Sequence, residues 1–297
     1  MMIERAIDFG RPRRMRCGRC GYEELVSLPW MERGDRCPKC GVECSDVLCV
    51  RPVHAPDDPA IVDDLVARMC WYHTSTVPNW PQKNFDPLKD VGADYYDDLV
   101  KTIGRREAGI WLEKEKSKAL HVGTYEAAIE NMLRRIVGQP EQNEQFFLYR
   151  VVLHATAGIE PGVHDEEADF SGGMNADDLL TGNNLIYRYL NETEDEGSIS
   201  LAIKPEAIES VAGIEIPLKQ QPSLTSKLDL AVFDAGKWID EGQIPTYIKK
   251  RLKDSYLQRR SEMGGRSSSE YLLGLIGLVQ NPSEVLLMLD KAERRMI

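Results

Sequence analysis

Two pairs of cysteines near the N-terminus constrain the fold of this chain more than any other feature. Cys17 and Cys20 form one pair and Cys37 and Cys40 the other; each pair is followed by a glycine, and sixteen residues lie between the pairs. Four thiolates at this spacing can close tetrahedrally on Zn²⁺, because the glycines allow the chain to turn beneath the metal. The sequence therefore predicts a zinc ribbon over residues 1–50, stabilised mainly by a structural Zn²⁺ ion.

The three remaining cysteines, Cys44, Cys49 and Cys70, fit a reduced protein better than a disulfide-bonded one. The first residues are rich in arginine and contain no apolar signal core, so we expect a cytoplasmic protein in which thiols stay reduced. Cys44 lies close enough to the second pair to replace one of its ligands. Buried, unpaired thiols are the simpler interpretation for all three.

Composition restricts the classes of partner. No apolar run in the 297 residues approaches the length of a membrane span, so we expect no membrane partner. The net charge of −11 argues against indiscriminate binding of nucleic acid, which needs an excess of lysine and arginine facing the phosphates. Basic residues are nevertheless clustered in the first twenty residues and over residues 249–260, so local contacts with nucleic acid or protein stay open.

Hydrophobic periodicity predicts an α+β fold. The main predicted strands are 70–76, 119–124, 146–155, 198–203 and 213–218, and the main predicted helices are 88–118, 125–137, 204–211 and 267–279. We divide the chain into the zinc ribbon at 1–50, a central domain at 51–222 and a helical C-terminal region at 223–297.

Polar side chains at the ends of three predicted strands are the candidates for chemistry. His73 and Thr74 end one strand, His121 lies near the end of another, and Glu194 lies in an acidic turn before a third. A loop held by a strand can aim a carboxylate at the positive charge that develops when a glycosidic bond breaks. We expect these residues to share a cleft, although acidic turns are more often solvated and strand histidines more often buried in a core.

The same residues carry a resemblance to a known family. The run Trp71-Tyr72-His73-Thr74-Ser75 is similar to the Tyr-His-Gly-Thr strand of the His-Tyr-Glu class of ADP-ribosyltransferases, which includes diphtheria toxin and the poly(ADP-ribose) polymerases. The run Tyr189-Leu-Asn-Glu-Thr-Glu194 resembles the glutamate motif of that class. The resemblance covers roughly residues 70–218 and rests on short motifs in the right order.

The resemblance implies a split β-sheet, ADP-ribosyltransferase-like fold that binds NAD⁺ in a cleft. It implies that Glu194 is the catalytic carboxylate and that His73 and Thr74 bind NAD⁺. The ring that stacks on nicotinamide in this class has no clear counterpart; Tyr125 is the first candidate and His121 the second. Glu192, two residues before the catalytic position, corresponds to a residue on the acceptor side.

The implied activity is transfer of ADP-ribose from NAD⁺ to a macromolecular acceptor, either nucleic acid or protein. Such an activity suits an intracellular toxin or defence effector, which a partner protein would neutralise. Two alternatives stay open: a non-catalytic zinc-ribbon binding protein, and an NAD⁺ hydrolase that uses the same cleft. RNA 2′-phosphotransfer is disfavoured, because residues 77–82, which follow His73, contain no basic side chain to hold a phosphate.

Overall fold

The described residues form a mixed α+β structure with three small β-sheets, which confirms the predicted α+β class. The structure, a computed structural model, describes residues 2–27, 36–43, 50–82, 93–138, 145–166, 174–216, 236–241, 244–263 and 265–297. Cys44 and Cys49 lie outside the described residues.

The first sheet belongs to the N-terminal ribbon and has the antiparallel strand order β2-β1-β3. Its strands are β1 (Arg13–Cys17), β2 (Glu23–Val26) and β3 (Val50–Pro52). The third strand crosses the predicted boundary at residue 50.

The second and third sheets have four strands each, in the orders β11-β10-β6-β4 and β5-β9-β8-β7. The second contains β4 (Trp71–Ser75), β6 (Phe146–Leu153), β10 (Ile208–Ile216) and β11 (Arg294–Met296). The third contains β5 (Leu120–Val122), β7 (Gly158–Ile159), β8 (Asn184–Leu190) and β9 (Ile199–Ile203). The pairs are antiparallel except that of β7 with β8.

One backbone bridge joins the second sheet to the third. Tyr72 on β4 and Gly123 after β5 exchange two hydrogen bonds of 2.9 Å. Gly123 is required there by space, since a Cβ atom would lie 2.7 Å from the hydroxyl oxygen of Ser200. The two sheets meet at this point, and the cleft described below opens beside it.

The helices are α1 (Asp63–Val66), α2 (Ala93–Ile103), α3 (Arg105–Lys116), α4 (Tyr125–Gly138), α5 (Ala176–Leu179), α6 (Thr246–Met263), α7 (Gly265–Gln280) and α8 (Pro282–Lys291). α4 packs against β4 on one side and α6 on the other. Among the described residues no single helix is long and apolar enough to cross a membrane. Residues 269–291 reach that length and apolar content only as two consecutive helices, which are bent by 95° relative to one another.

The C-terminal region shares the core of the central domain. Buried residues of α6, α7 and α8 form one apolar cluster with α4 and β4, and β11 pairs with β10. Apolar side chains of the second and third sheets form another cluster. The described part of 223–297 is therefore integrated with the sheets and not built around a core of its own.

The predicted helix at 204–211 is wrong. A 3₁₀ turn over Pro205–Ala207 leads directly into β10, which pairs with β6 along its length. Proline favours the start of a helix, but the buried apolar residues that follow, such as Ile208 and Val211, fit the pleated surface of a sheet. The predicted strand at 213–218 is the second half of the same strand as far as residue 216.

Candidate functional site

A cleft lies where β4 and β5 meet, with α4 along one side and the turn after β8 along another. It encloses about 70 Å³, and its lining includes Tyr72, His73, Thr74, His121, Asn131, Tyr189, Asn191, Glu194 and Ser200. The structure thus brings together the polar residues predicted at three separate strand ends, His73, Thr74, His121 and Glu194.

The carboxylate of Glu194 is largely buried in the wall of this cleft. Its Oε1 accepts a hydrogen bond of 2.7 Å from Nε of Arg134 and one of 3.2 Å from the side-chain amide of Asn131. The two donors are three residues apart on α4 and so share one helix face. Sequence reasoning missed both, because this spacing shows that they share a helix face but not that the face meets Glu194.

A side chain within the turn contributes to the position of Glu194. The Oδ1 atom of Asn191 accepts hydrogen bonds from the backbone amides of Thr193, at 3.1 Å, and Glu194, at 2.8 Å. The side chain of an asparagine in such a turn replaces a backbone partner and holds the chain in one conformation. The turn therefore presents the carboxylate in a defined place.

His73 is a neutral ring with a free acceptor atom. Its Nδ1 lies 2.7 Å from the carbonyl oxygen of His121, so Nδ1 carries the proton and donates it. Burial, opposed by that bond and assisted by the charge of Arg135, lowers the pKa of His73 to about 3. The ring stacks on Trp80 at 4.0 Å between centroids. Nε2 is left as a hydrogen-bond acceptor.

His121 is also neutral, and its contact with Tyr189 indicates which nitrogen is protonated. The hydroxyl of Tyr189 lies 3.0 Å from Nδ1 of His121. Since this hydroxyl has one proton to donate, we assign Nδ1 of His121 as its acceptor.

The proton of His121 therefore lies on Nε2. Burial, and to a smaller degree the charge of Lys118, lowers the pKa of this ring to about 4. Nε2 is buried and has no hydrogen-bond partner among the described residues. An unsatisfied buried donor is costly, so this atom indicates that a ligand or water completes the site.

Two of the predicted NAD⁺-binding residues are engaged in the core. The hydroxyl of Thr74 lines the cleft but donates to the backbone oxygen of Ala128 at 2.9 Å. The ring of Tyr125 does not line the cleft: it is buried against Tyr72, and its hydroxyl donates to the backbone oxygen of Leu278 at 2.8 Å. The prediction of Tyr125 as a stacking ring therefore does not fit this structure, because the residue lies on the buried stripe of α4 with Met132.

Glu192 lies outside the cleft, exposed on the turn. Its backbone amide donates to the carboxylate of Glu166 at 3.0 Å. Cys70 is buried and unpaired. Both positions are compatible with what the sequence indicated.

The four predicted metal ligands form a cluster in the ribbon. Their Sγ atoms all lie within 4.8 Å of one another, with 3.8 Å between Cys17 and Cys40 and 3.7 Å between Cys20 and Cys37. Bonds of 2.3 Å to a tetrahedral Zn²⁺ place sulfur atoms about 3.8 Å apart. Gly21 and Gly41 adopt positive φ angles. The backbone amide of each donates to the backbone oxygen of the first cysteine of its pair at 2.8 Å.

A larger cavity of about 270 Å³ lies between the ribbon and the third sheet. Its charged and titratable lining consists of Arg14, Arg16, Arg51, His54 and His164, with the carboxylates Glu23 and Asp165. All three arginines are paired with these carboxylates, Arg14 and Arg16 with Glu23 and Arg51 with Asp165. The arginines exceed the carboxylates by one, so the lining carries a small excess of positive charge.

Comparisons with known proteins do not identify this chain. No family model, no curated protein and no solved structure matches it. The functional conclusion therefore comes from the residues of the cleft.

Proposed function

We propose that the protein is an ADP-ribosyltransferase that cleaves the bond between nicotinamide and ribose in NAD⁺ and transfers ADP-ribose to a macromolecule. The single observation that carries this proposal is the set of complementary groups in the cleft. His121 offers a buried donor without a partner, His73 an acceptor and Glu194 a carboxylate. These groups come from β5, β4 and the turn after β8.

Each group has a defined role in the proposed reaction. Glu194 stabilises the oxocarbenium ion that forms as nicotinamide leaves with the bonding electron pair, because its negative charge interacts most strongly with that cationic state. His73 accepts a hydrogen bond from a ribose hydroxyl. His121 donates to the ligand through Nε2. The acceptor nucleophile then bonds to the ribose carbon and releases its proton to water.

The volume of the cleft determines how NAD⁺ would bind. The enclosed 70 Å³ is far smaller than the pockets that hold a complete cofactor. In the proposed complex the nicotinamide end occupies the enclosed part, and the remainder of the dinucleotide lies outside it.

The acceptor side of the proposal uses the ribbon. We propose that its four cysteines hold a structural Zn²⁺ ion and that the cavity beside it, whose arginines exceed its carboxylates by one, receives an anionic part of the acceptor. The helical run 249–260 is a weaker candidate than expected, since Lys249 and Lys253 both bond Asp240 and Arg251 donates to the backbone of Glu130. Glu192 stays a proposed acceptor-side residue because it is exposed on the same turn as Glu194.

Nicotinamide release from NAD⁺ tests the proposal. The purified protein is assayed with and without a cell lysate, and wild type is compared with Glu194→Gln and with Glu113→Gln, a control at an exposed glutamate of α3. We expect Glu194→Gln to reduce release by a factor of about 10²–10³. Glu113→Gln should leave it unchanged.

The same assay separates the alternatives. Release that needs the lysate indicates transfer, and Glu192→Gln should then affect transfer alone. Equal release without lysate supports the NAD⁺ hydrolase. No release by wild type under either condition contradicts both and favours the non-catalytic binding protein.

A further inference from the structure

Asp195, the residue after Glu194, has an unusual conformation and no contact with solvent. Its φ angle is +47°, in the left-handed region that most residues avoid, and its exposed fraction is 0%. Asp enters this region more readily than most residues, but still at some cost that contacts with its surroundings offset. The neighbours of Asp195 therefore determine the shape of the turn.

The carboxylate of Asp195 is bound from two sides. Oδ1 accepts from Nε of Arg11 at 3.1 Å and is paired with Nη2 of Arg13 at 3.1 Å. Oδ2 accepts from the hydroxyl of Thr124 at 2.8 Å, at the start of α4. Arg11 also donates to the backbone oxygens of Asp195 and Glu196 at 3.1 and 3.3 Å.

The ion pair of Arg13 with Asp195 is buried on both sides. Each side chain is 1% exposed, so neither charge can be compensated by water if the other is removed. The backbone amide of Asp195 also donates to the buried carboxylate of Glu130 at 2.6 Å. Without Arg13, the carboxylate of Asp195 would keep only Arg11 and Thr124 as side-chain partners in a medium of low polarity.

The arginines belong to the ribbon. Arg13 is the first residue of β1 and Cys17, a metal ligand by its position, is the last. The segment after β3 lies against the same turn, because a Cβ atom on Gly197 would lie 3.2 Å from the backbone oxygen of Val53. The ribbon thus contacts the turn through both a charge pair and close packing.

We propose that Asp195 is a positioning residue through which the metal-bound ribbon holds Glu194 in the cleft. When the four thiolates bind the metal, β1 is fixed and keeps Arg13 and Arg11 on Asp195. When they do not, the turn is released and Glu194 leaves its position. The coupling of ribbon to turn is independent of the reaction, whereas its effect on catalysis rests on the function proposed above.

Hydrogen exchange measured by mass spectrometry tests the coupling in the full chain. Amides of residues 191–198 are followed with zinc bound and after a chelator, and in the variants Arg13→Gln and Arg11→Gln. Arg11→Gln is the milder change, because the side chain of Arg11 is 31% exposed. Arg36→Gln, at an exposed arginine of the ribbon, is the matched control.

We expect exchange in 191–198 to become at least about tenfold faster on chelation and in both variants, with β6 unchanged and Arg36→Gln like wild type. Unchanged exchange after chelation, or in Arg13→Gln and Arg11→Gln, overturns the coupling. If Arg13→Gln does not fold, the exchange measured in Arg11→Gln and after chelation still tests the coupling. If exchange becomes faster as expected but the protein releases no nicotinamide under any condition, the coupling is supported and the proposed function is contradicted.

Discussion

Arg134 donates through Nε to Oε1 of Glu194 over 2.7 Å, and this bond connects α4 to the turn that the sequence identified. The side chain of Arg134 is 36% exposed, whereas that of Glu194 is 9% exposed. The pair therefore joins a buried carboxylate of the cleft wall to a guanidinium that reaches solvent.

Replacing Arg134 by glutamine should slow the proposed reaction more than it destabilises the protein. The guanidinium orients the carboxylate, and loss of orientation costs rate, here about tenfold. A partly exposed ion pair contributes about 1 kcal/mol or less to the free energy of unfolding. Nicotinamide release and a denaturant titration measure the two effects. A faster variant would mean that Arg134 masks Glu194, contrary to our interpretation.

Tyr125→Phe should distinguish a core residue from a ring that binds a ligand. The change removes the hydroxyl that donates to the carbonyl of Leu278 and should lower the free energy of unfolding by about 1 kcal/mol. Nicotinamide release, corrected for the folded fraction, should stay the same. A loss of release in fully folded protein would restore Tyr125 as a ligand-stacking candidate.

The two cleft histidines should be neutral and should be opposite tautomers. Their pKa values lie at about 3 and 4, so neither ring should gain a proton between pH 8 and pH 5. The proton should lie on Nδ1 of His73 and on Nε2 of His121. ¹⁵N shifts of the ring nitrogens report both properties, and His73→Asn and His121→Asn assign the signals. Titration of either ring above pH 5 would contradict the lowered pKa values of these two histidines.

Glu130 should make stability fall as the pH rises. Burial, with the charge of Asp195 as a second cause, raises the pKa of Glu130 from 4.5 to about 8. The folded protein then binds more protons than the unfolded chain between these values, so the contribution of Glu130 is complete at low pH and is lost as the pH rises through about 8.

The difference between wild type and Glu130→Gln isolates that contribution. Denaturant titrations at several pH values between 4.5 and 8 should show a stability difference that changes by at most about 1.4 kcal/mol per pH unit. Glu113→Gln serves as the exposed control. Parallel curves for wild type and Glu130→Gln would show that Glu130 is ionised in the folded protein.

The ribbon should bind one equivalent of zinc through four thiolates. A mercurial thiol reagent should release the metal after reaction of four cysteines, as measured with a zinc indicator. Cys20→Ser should weaken binding strongly, whereas Cys70→Ser should not, because Cys70 is buried away from the cluster. Zinc retained at full stoichiometry by Cys20→Ser would contradict the ligand set.

The sequence allowed prediction of those residues that belong to a short, recognisable sequence pattern. Spacing alone identified the four cysteines, and strand alternation followed by a polar residue identified His73, His121 and the turn of Glu194. Tyr125 was predicted to stack on a ligand, although its place on the same helical stripe as the apolar residues of α4 was a local signal for a core residue. The 3₁₀ turn at Pro205 was read as a helix because local propensity does not include the partner strand.

The partners of those residues could not be predicted. Nothing in the sequence around Asp195 indicates that arginines of the ribbon bind it, and nothing on α4 indicates that Arg134 faces Glu194. Such pairings depend on how the sheets and the ribbon pack, which involves many weak contacts between distant segments.

The separation of Arg11 from Asp195 along the chain, 184 residues, has a kinetic consequence. At about 5–20 residues per second, roughly 10–40 s of synthesis separate these arginines from their partner. Contacts of such long range form late in folding, and late contacts affect the rate of unfolding more than that of folding. We expect Arg13→Gln to raise the unfolding rate in denaturant with little change in the folding rate. A slower folding rate with an unchanged unfolding rate would mean that the contact of Arg13 with Asp195 forms early in folding. The contacts of these arginines with Asp195 would then determine the lifetime of the native state after folding.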